Sequence, residues 1–187
     1  MSQTRDMQIT CGVLALLAVM GLADPAPAQR RGGCGAVEAS DWNGSLVPEG
    51  EPGEPMEITG RVLDAEGDPA PGVNVYAYQT DAEGYYSRRG SDENTARLCA
   101  VVRTNERGEY KLTTIRPGSY ASGGVPAHIH FELWRDGMAR ERQELQFADD
   151  AQVAAPKKAD LTRTSTVRSL DRDDQGVWKV ERDFRLP

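Results

Sequence analysis

Residues 127–134 read AHIHFELW, with Ile129, Phe131 and Leu133 falling between His128, His130 and Glu132. A period of two belongs to an extended strand, whose successive side chains point to opposite faces. The same pattern recurs along the chain. "MEITGRVLD" places Met56, Ile58 and Val62 on one face, and "VNVYAYQT" sets Val73, Val75 and Ala77 against Tyr76 and Tyr78. "TNERGEYKLTTI" reads as a turn and then a strand, and "ARERQELQF" follows "DG" as a hairpin partner for residues 127–134. Near the end, "TVRSL", a turn at "DRDDQG" and "VWKVERDFRL" predict a further hairpin, with Trp178, Val180, Phe184 and Leu186 on one face. Short strands separated by turn chemistry, with no long amphipathic helix, predict an all-β fold, an antiparallel β-sandwich. Residues 148–165 are compatible with either a short helical turn or a loop.

The N-terminus has a different character. Arg5 precedes an apolar run from Ile9 to Ala23, and Ala26 and Ala28 form a small-x-small site. This predicts a secretory signal peptide over 1–28, the run being too short and too Gly-interrupted to favour a membrane span, with an N-terminal membrane anchor as the alternative. The mature chain is then exported, periplasmic or extracellular, and holds no membrane segment. Residues 29–55, rich in Gly, Pro, Glu and Ser, predict an irregular arm, and 56–187 form one domain. Cys34 and Cys99 remain as an even pair, open to a disulfide in an exported protein, the alternative being two free thiols. The formal net charge is −7. Such a balance argues against nucleic acid and anionic lipid as partners.

His128 and His130 are the only histidines in 187 residues. In a strand, residues i and i+2 share a face, so the two imidazoles form a natural metal chelate. The alternative is a pair of hydrogen-bonded or surface histidines. A three-His zinc centre needs a third imidazole, and Cys34 and Cys99 are not spaced as a zinc finger. Further ligands must come from another residue type. Two of the six tyrosines sit in loops beside turn signals, in "EGYYS" and "RPGSY". A phenol ionises near pH 10 on its own, but a trivalent cation drives off its proton, and phenolate is a hard donor suited to Fe(III).

The ordered segments "VYAYQTDAEGYYS", "TNERGEYKLTTIRPGSY" and "PAHIHFEL" resemble the intradiol ring-cleavage dioxygenases, the protocatechuate 3,4-dioxygenase and catechol 1,2-dioxygenase family, in a short exported form. The resemblance runs from about Thr59 to Phe147, with a weaker echo at "ERDFRL". It implies a β-sandwich core of the intradiol type holding non-haem Fe(III). The implied metal ligands are Tyr86, Tyr120, His128 and His130, with Tyr120 and His128 axial, and Tyr86 and Tyr120 also catalytic. It further implies O2 and a catechol-type substrate opened to a cis,cis-muconate-type diacid, with iron acting as Lewis acid and template.

The chain departs from the family pattern at two places. An Arg directly before the Pro-Ala-His-Ile-His run is replaced by Val125, with Arg116 and Arg88 as nearby substitutes. A Gln on the following strand is replaced by Glu144. The helical dimerisation segment of the catechol enzymes has no counterpart, and a homo-oligomer stays open. Two other readings remain: a non-catalytic transthyretin-like β-sandwich binding module and a ferric-catecholate binding protein.

Overall fold

The structure, a computed structural model, describes residue 39 and residues 41–88, 96–135, 141–154 and 165–187. The expected signal peptide at 1–28, Cys34 and the turn between the two strands at 127–147 lie outside the described residues.

Two sheets face each other. One holds β1 (Asn43–Ser45), β2 (Pro55–Leu63), β5 (Glu109–Ile115), β9 (Asp171–Arg172), β10 (Trp178–Glu181) and β11 (Phe184–Arg185). The other runs in the order β4 (Leu98–Arg103), β3 (Asn74–Gln79), β6 (His128–Trp134), β7 (Glu141–Phe147) and β8 (Ser165–Arg168). The apolar sets read from alternation face each other between the sheets. Ile58, Val62, Val75, Ala77, Ile129 and Phe131 are each fully buried, and Met56 and Leu133 nearly so. Burial of a side chain such as Phe131 or Leu133 stabilises by about 1.5–3 kcal/mol relative to exposure.

The central pairings, β2 with β5, β3 with β4 and β6, and β6 with β7, are antiparallel. Four pairings at the margins are parallel: β1 with β5, β10 and β11 with β2, and β7 with β8. Two local expectations change accordingly. Asn43–Ser45, within the stretch read as an irregular arm, adds a strand to the sheet beside β5. "TVR" does not pair with "VWKVE". It extends β7 in the other sheet, and the hairpin partner of β10 is Asp171–Arg172. Residues 148–165 contain a short helix, Ala151–Ala154 (α1). Among the described residues no helix is long and apolar enough to cross a membrane.

Candidate metal centre

Because Ile129, Phe131 and Leu133 fill the core, His128 and His130 project from the outer face of the second sheet. Two loops fold over that face at the N-terminal end of β6. One, residues 80–88, follows β3 and carries Tyr86. The other, residues 116–127, connects β5 to β6 and carries Tyr120.

The two loops interlock through glycine. A Cβ on Gly84 would lie 1.9 Å from the Ser119 carbonyl oxygen, and one on Gly118 would lie 2.5 Å from that of Ala82. Gly84 also has φ +87, a left-handed conformation that favours glycine. The Gly-x-Tyr spacing of both segments therefore brings two backbones together and sets each phenol beside the other. The Gly118 amide donates to the Asp81 carbonyl at 2.8 Å, and that of Ala121 to the Gly84 carbonyl at 3.3 Å.

Three charged side chains hold the loops. Asp81 Oδ1 accepts from the Glu83 and Tyr85 amides, both at 3.0 Å. Asp150 Oδ2 accepts from the Ser119 hydroxyl at 2.9 Å and from the Ala127 amide at 2.8 Å. One carboxylate oxygen thus joins the neighbour of Tyr120 to the neighbour of His128. Burial works against the ionised Asp150. The Ala127 and Gln152 amides and the Ser119 hydroxyl outweigh it and hold the carboxyl below its usual range. Arg97 donates its amide to the Tyr86 carbonyl at 2.9 Å, and its guanidinium grips both Glu51 oxygens at 2.7 and 2.5 Å.

All four sequence-predicted site residues meet. Tyr86 Oη lies 2.9 Å from Tyr120 Oη and 2.9 Å from His130 Nε2. The two histidine Nε2 atoms are 3.0 Å apart, and His128 Nε2 is 3.5 Å from each phenol oxygen. Neighbouring ligands on one ion with bonds of about 2.0–2.1 Å stand about 2.9–3.4 Å apart. Three of the separations fall in that range, and the two of 3.5 Å from His128 Nε2 lie just beyond it, so a small inward shift of that ring brings the four donors to one cation. The phenol chosen within "GYY" is Tyr86, the one whose hydroxyl reaches Tyr120.

The outer atoms set the tautomers. His128 Nδ1 is 2.8 Å from the Pro126 carbonyl, to which it can only donate, leaving Nε2 with a lone pair for a metal. Burial, then the neighbouring His128, lowers the His130 pKa to about 3, so its imidazole is neutral. The 3.4 Å approach of His130 Nδ1 to Glu144 Oε1 is therefore a neutral imidazole against a carboxylate, not an ion pair. Burial, and after it the bond to Tyr120, raises the Tyr86 phenol well above its ordinary value. Alone it stays protonated, and only a strong local cation would ionise it. Among the described residues no group of three or more His, Cys, Asp and Glu side chains is arranged to hold a metal. A metal at this place needs the tyrosines.

The cations expected to replace the missing arginine lie elsewhere. Both Arg116 terminal nitrogens donate to Asp149 at 2.8 Å, and its guanidinium stacks 5.1 Å from the Trp178 ring centre. Arg88 is exposed, and its charge acts on Glu51. The arginine whose charge reaches His130 is Arg142, on β7 opposite Glu132. Sequence reading also passed over Tyr78, directly across from His130 and stacked on it with ring centres 4.6 Å apart. The strand period shows that its ring points away from Val75 and Ala77, but not that β6 lies alongside. Asp81, opening "DAEG", carries the signature of a side-chain-capped turn. Cys99, on β4 beside Tyr78, is held in a disulfide, and Cys34 lies outside the described residues.

Residues 36–186 match the family described as dioxygenase. The protocatechuate 3,4-dioxygenase beta chain of Burkholderia cepacia is 36% identical over 108 residues, which is 51% of this chain and 46% of that one. The 6-chlorohydroxyquinol 1,2-dioxygenase of Cupriavidus pinatubonensis is 26% identical over 160 residues, covering 77% of this chain and 58% of that one. The chain thus spans about half the length of the curated relatives it matches. Among solved structures, catechol 1,2-dioxygenase from Acinetobacter sp. ADP1 shares the fold with a TM-score of 0.64 at 19% identity, over 79% of this chain and 59% of that one. The dioxygenase domain of a dioxygenase and carbohydrate-binding protein fusion from Streptomyces sp. SirexAA-E superposes with a TM-score of 0.61 at 25% identity. That match covers 87% of this chain and 98% of the Streptomyces domain. The chain belongs to the intradiol ring-cleavage dioxygenase family.

Proposed function

We propose that the protein is an exported, non-haem Fe(III)-dependent intradiol dioxygenase that opens a catechol-type ring with O2 to a cis,cis-muconate-type diacid. The observation that carries this reading is the convergence of four donors: Tyr86 Oη and His128 Nε2 each lie within 2.9–3.5 Å of the other three among Tyr86 Oη, Tyr120 Oη, His128 Nε2 and His130 Nε2. These four residues would hold the ion, which when bound supplies Lewis acidity toward an aromatic diol. Two neutral imidazoles and two ionised phenols offset most of a trivalent charge, and uncompensated charge in a half-buried site is expensive. Tyr120 is the local base, its phenolate oxygen accepting a proton from an arriving diol, while Tyr86 keeps its charge as a ligand. Tyr78, stacked on His130, fixes the plane of that imidazole. The relatives are named for protocatechuate and chlorohydroxyquinol, which share adjacent hydroxyls on one ring. Export rests on the charged, apolar and small-residue pattern of residues 1–28.

The test is iron content, visible absorption and oxygen uptake on one purified sample. A bound ferric ion with a tyrosinate charge-transfer band, and O2 consumed one for one with a catechol, is the expected result. A colourless protein that refuses iron defeats the reading. Iron and colour without oxygen uptake leave a ferric-catecholate binding protein, whereas Val125 and Glu144 in place of the family's Arg and Gln favour the non-catalytic transthyretin-like binding module.

A further inference from the structure

Glu144 departs from the family residue, and its surroundings give it a role. It lies on β7 directly opposite His130 of β6, while Ser165 of β8 lies directly opposite it on the other side. The Ser165 hydroxyl donates to Glu144 Oε2 at 2.9 Å. The other oxygen, Oε1, lies 3.4 Å from His130 Nδ1. A neutral imidazole that offers Nε2 to a metal carries its proton on Nδ1. In His130 that nitrogen lies 3.4 Å from a carboxylate oxygen, near enough for its charge to act on the ring. In His128 the same nitrogen faces the neutral carbonyl of Pro126. The two histidines of one candidate centre therefore have outer partners of different charge.

Resting on the ferric reading above, we infer that Glu144 is the anionic outer partner of His130, a positioning residue that biases the site toward trivalent over divalent iron. A carboxylate behind the imidazole orients the ring and raises its basicity as a ligand. Its attraction for a cation also grows in proportion to the cation's charge, so the ferric ion gains more than the ferrous one. Ser165 keeps the carboxylate in place by occupying the oxygen that does not face His130.

The test compares the wild type with E144Q and S165A, each loaded with ferric iron. Three quantities are read: ferric affinity by competition with a chelator, the Fe(III)/Fe(II) midpoint potential, and the energy of the tyrosinate charge-transfer band. E144Q keeps the shape and removes the charge. It should weaken ferric binding by about 10–100-fold, the range for lost outer partners of metal ligands. Ferrous binding should fall less. Each tenfold loss of ferric preference raises the one-electron potential by about 59 mV, and the band should move to longer wavelength as the iron becomes more electron-poor. S165A should shift all three in the same direction by less. Unchanged potential, band and affinity in an E144Q protein that unfolds like the wild type overturn the inference. Should E144Q fail to fold, S165A and E144D decide by the same readings. A wild type that takes up no iron and shows no colour overturns the ferric reading itself, and the inference with it.

Discussion

The two faces of β6 are built from alternate residues of one strand and obey different rules. Ile129, Phe131 and Leu133 on the inner face are sealed between the sheets with nothing to bond and only volume to fill. His128 and His130 on the outer face sit under two loops, and every ring nitrogen has a polar neighbour. The inner face answers to packing, where a lost methylene group is felt as a void. The outer face answers to donor geometry, where a small displacement separates four atoms that must meet. Stability and chemistry are therefore separable by mutation along a single strand.

The largest stability loss should come from Phe131→Ala. A fully buried aromatic side chain replaced by a methyl group costs about 3–5 kcal/mol, a large share of a typical domain's stability of about 5–15 kcal/mol. Urea unfolding of the metal-free protein checks it. A loss below 1 kcal/mol would mean that the inner face is not the core.

On the outer face a comparable term should appear only with pH. The folded pKa of His130 is lowered from 6.5 to about 3, so between those values the unfolded chain binds the extra proton. Stability is then complete above pH 6.5 and falls as the pH drops toward 3. At 1.36 kcal/mol per pH unit the ceiling is about 5 kcal/mol. The residual exposure of the ring should reduce it to about 2–3 kcal/mol. Carboxylates titrate in the lower part of the window, so the quantity to measure is the difference in pH dependence between wild type and His130→Gln, both without metal. Parallel curves would show that His130 is not buried as a neutral ring.

The loop interlock should rank next. Gly84→Ala meets both a left-handed backbone and the Ser119 carbonyl, and such strain costs about 1–3 kcal/mol. The Tyr86 loop should lift from the Tyr120 loop, so ferric affinity should fall further than the unfolding midpoint alone explains. Asp150→Ala removes the shared acceptor of Ser119 and Ala127. It should cost about 1–2 kcal/mol and blur the charge-transfer band by loosening Tyr120 against His128. Equal iron affinity in both variants would place the loops' rigidity outside the site's needs.

Strand periodicity made much of this visible in advance. The core face of β6 and the shared face of the two histidines follow from local spacing, whereas the identity of the two loop tyrosines is what the family resemblance implies. What was not visible depends on partners distant in sequence. Alternation tells which way a side chain points and not which strand lies alongside. The parallel attachments of β1, β8 and β11 were therefore hidden, and "TVR" was assigned to the wrong neighbour. Asp150 holds Ser119 from 31 residues away, and no local pattern links them. Arg116 stands near Tyr120 in sequence, yet Asp149 and Trp178 claim its guanidinium. Proximity along the chain is a poor guide for a long, flexible cation that satisfies itself wherever a carboxylate and an aromatic face coincide.

Tyr86→Phe should give the smallest stability change and so test the division most sharply. The substitution keeps the ring and removes one hydroxyl. The bonds lost are those to Tyr120 Oη and His130 Nε2, both 2.9 Å. A net hydrogen bond contributes about 0.5–1.5 kcal/mol. Against that, a phenol whose burial disfavours its charged form is replaced by an apolar ring that carries no desolvation cost. The two effects oppose each other, and the unfolding midpoint should move by less than about 1 kcal/mol. The ferric charge-transfer band should nonetheless weaken sharply, because one of the two phenolate donors is gone. A variant that keeps the wild-type band would remove Tyr86 from the metal. A variant that loses as much stability as Phe131→Ala would make the outer face a second core, and the contrast between the two sides of β6 would fail.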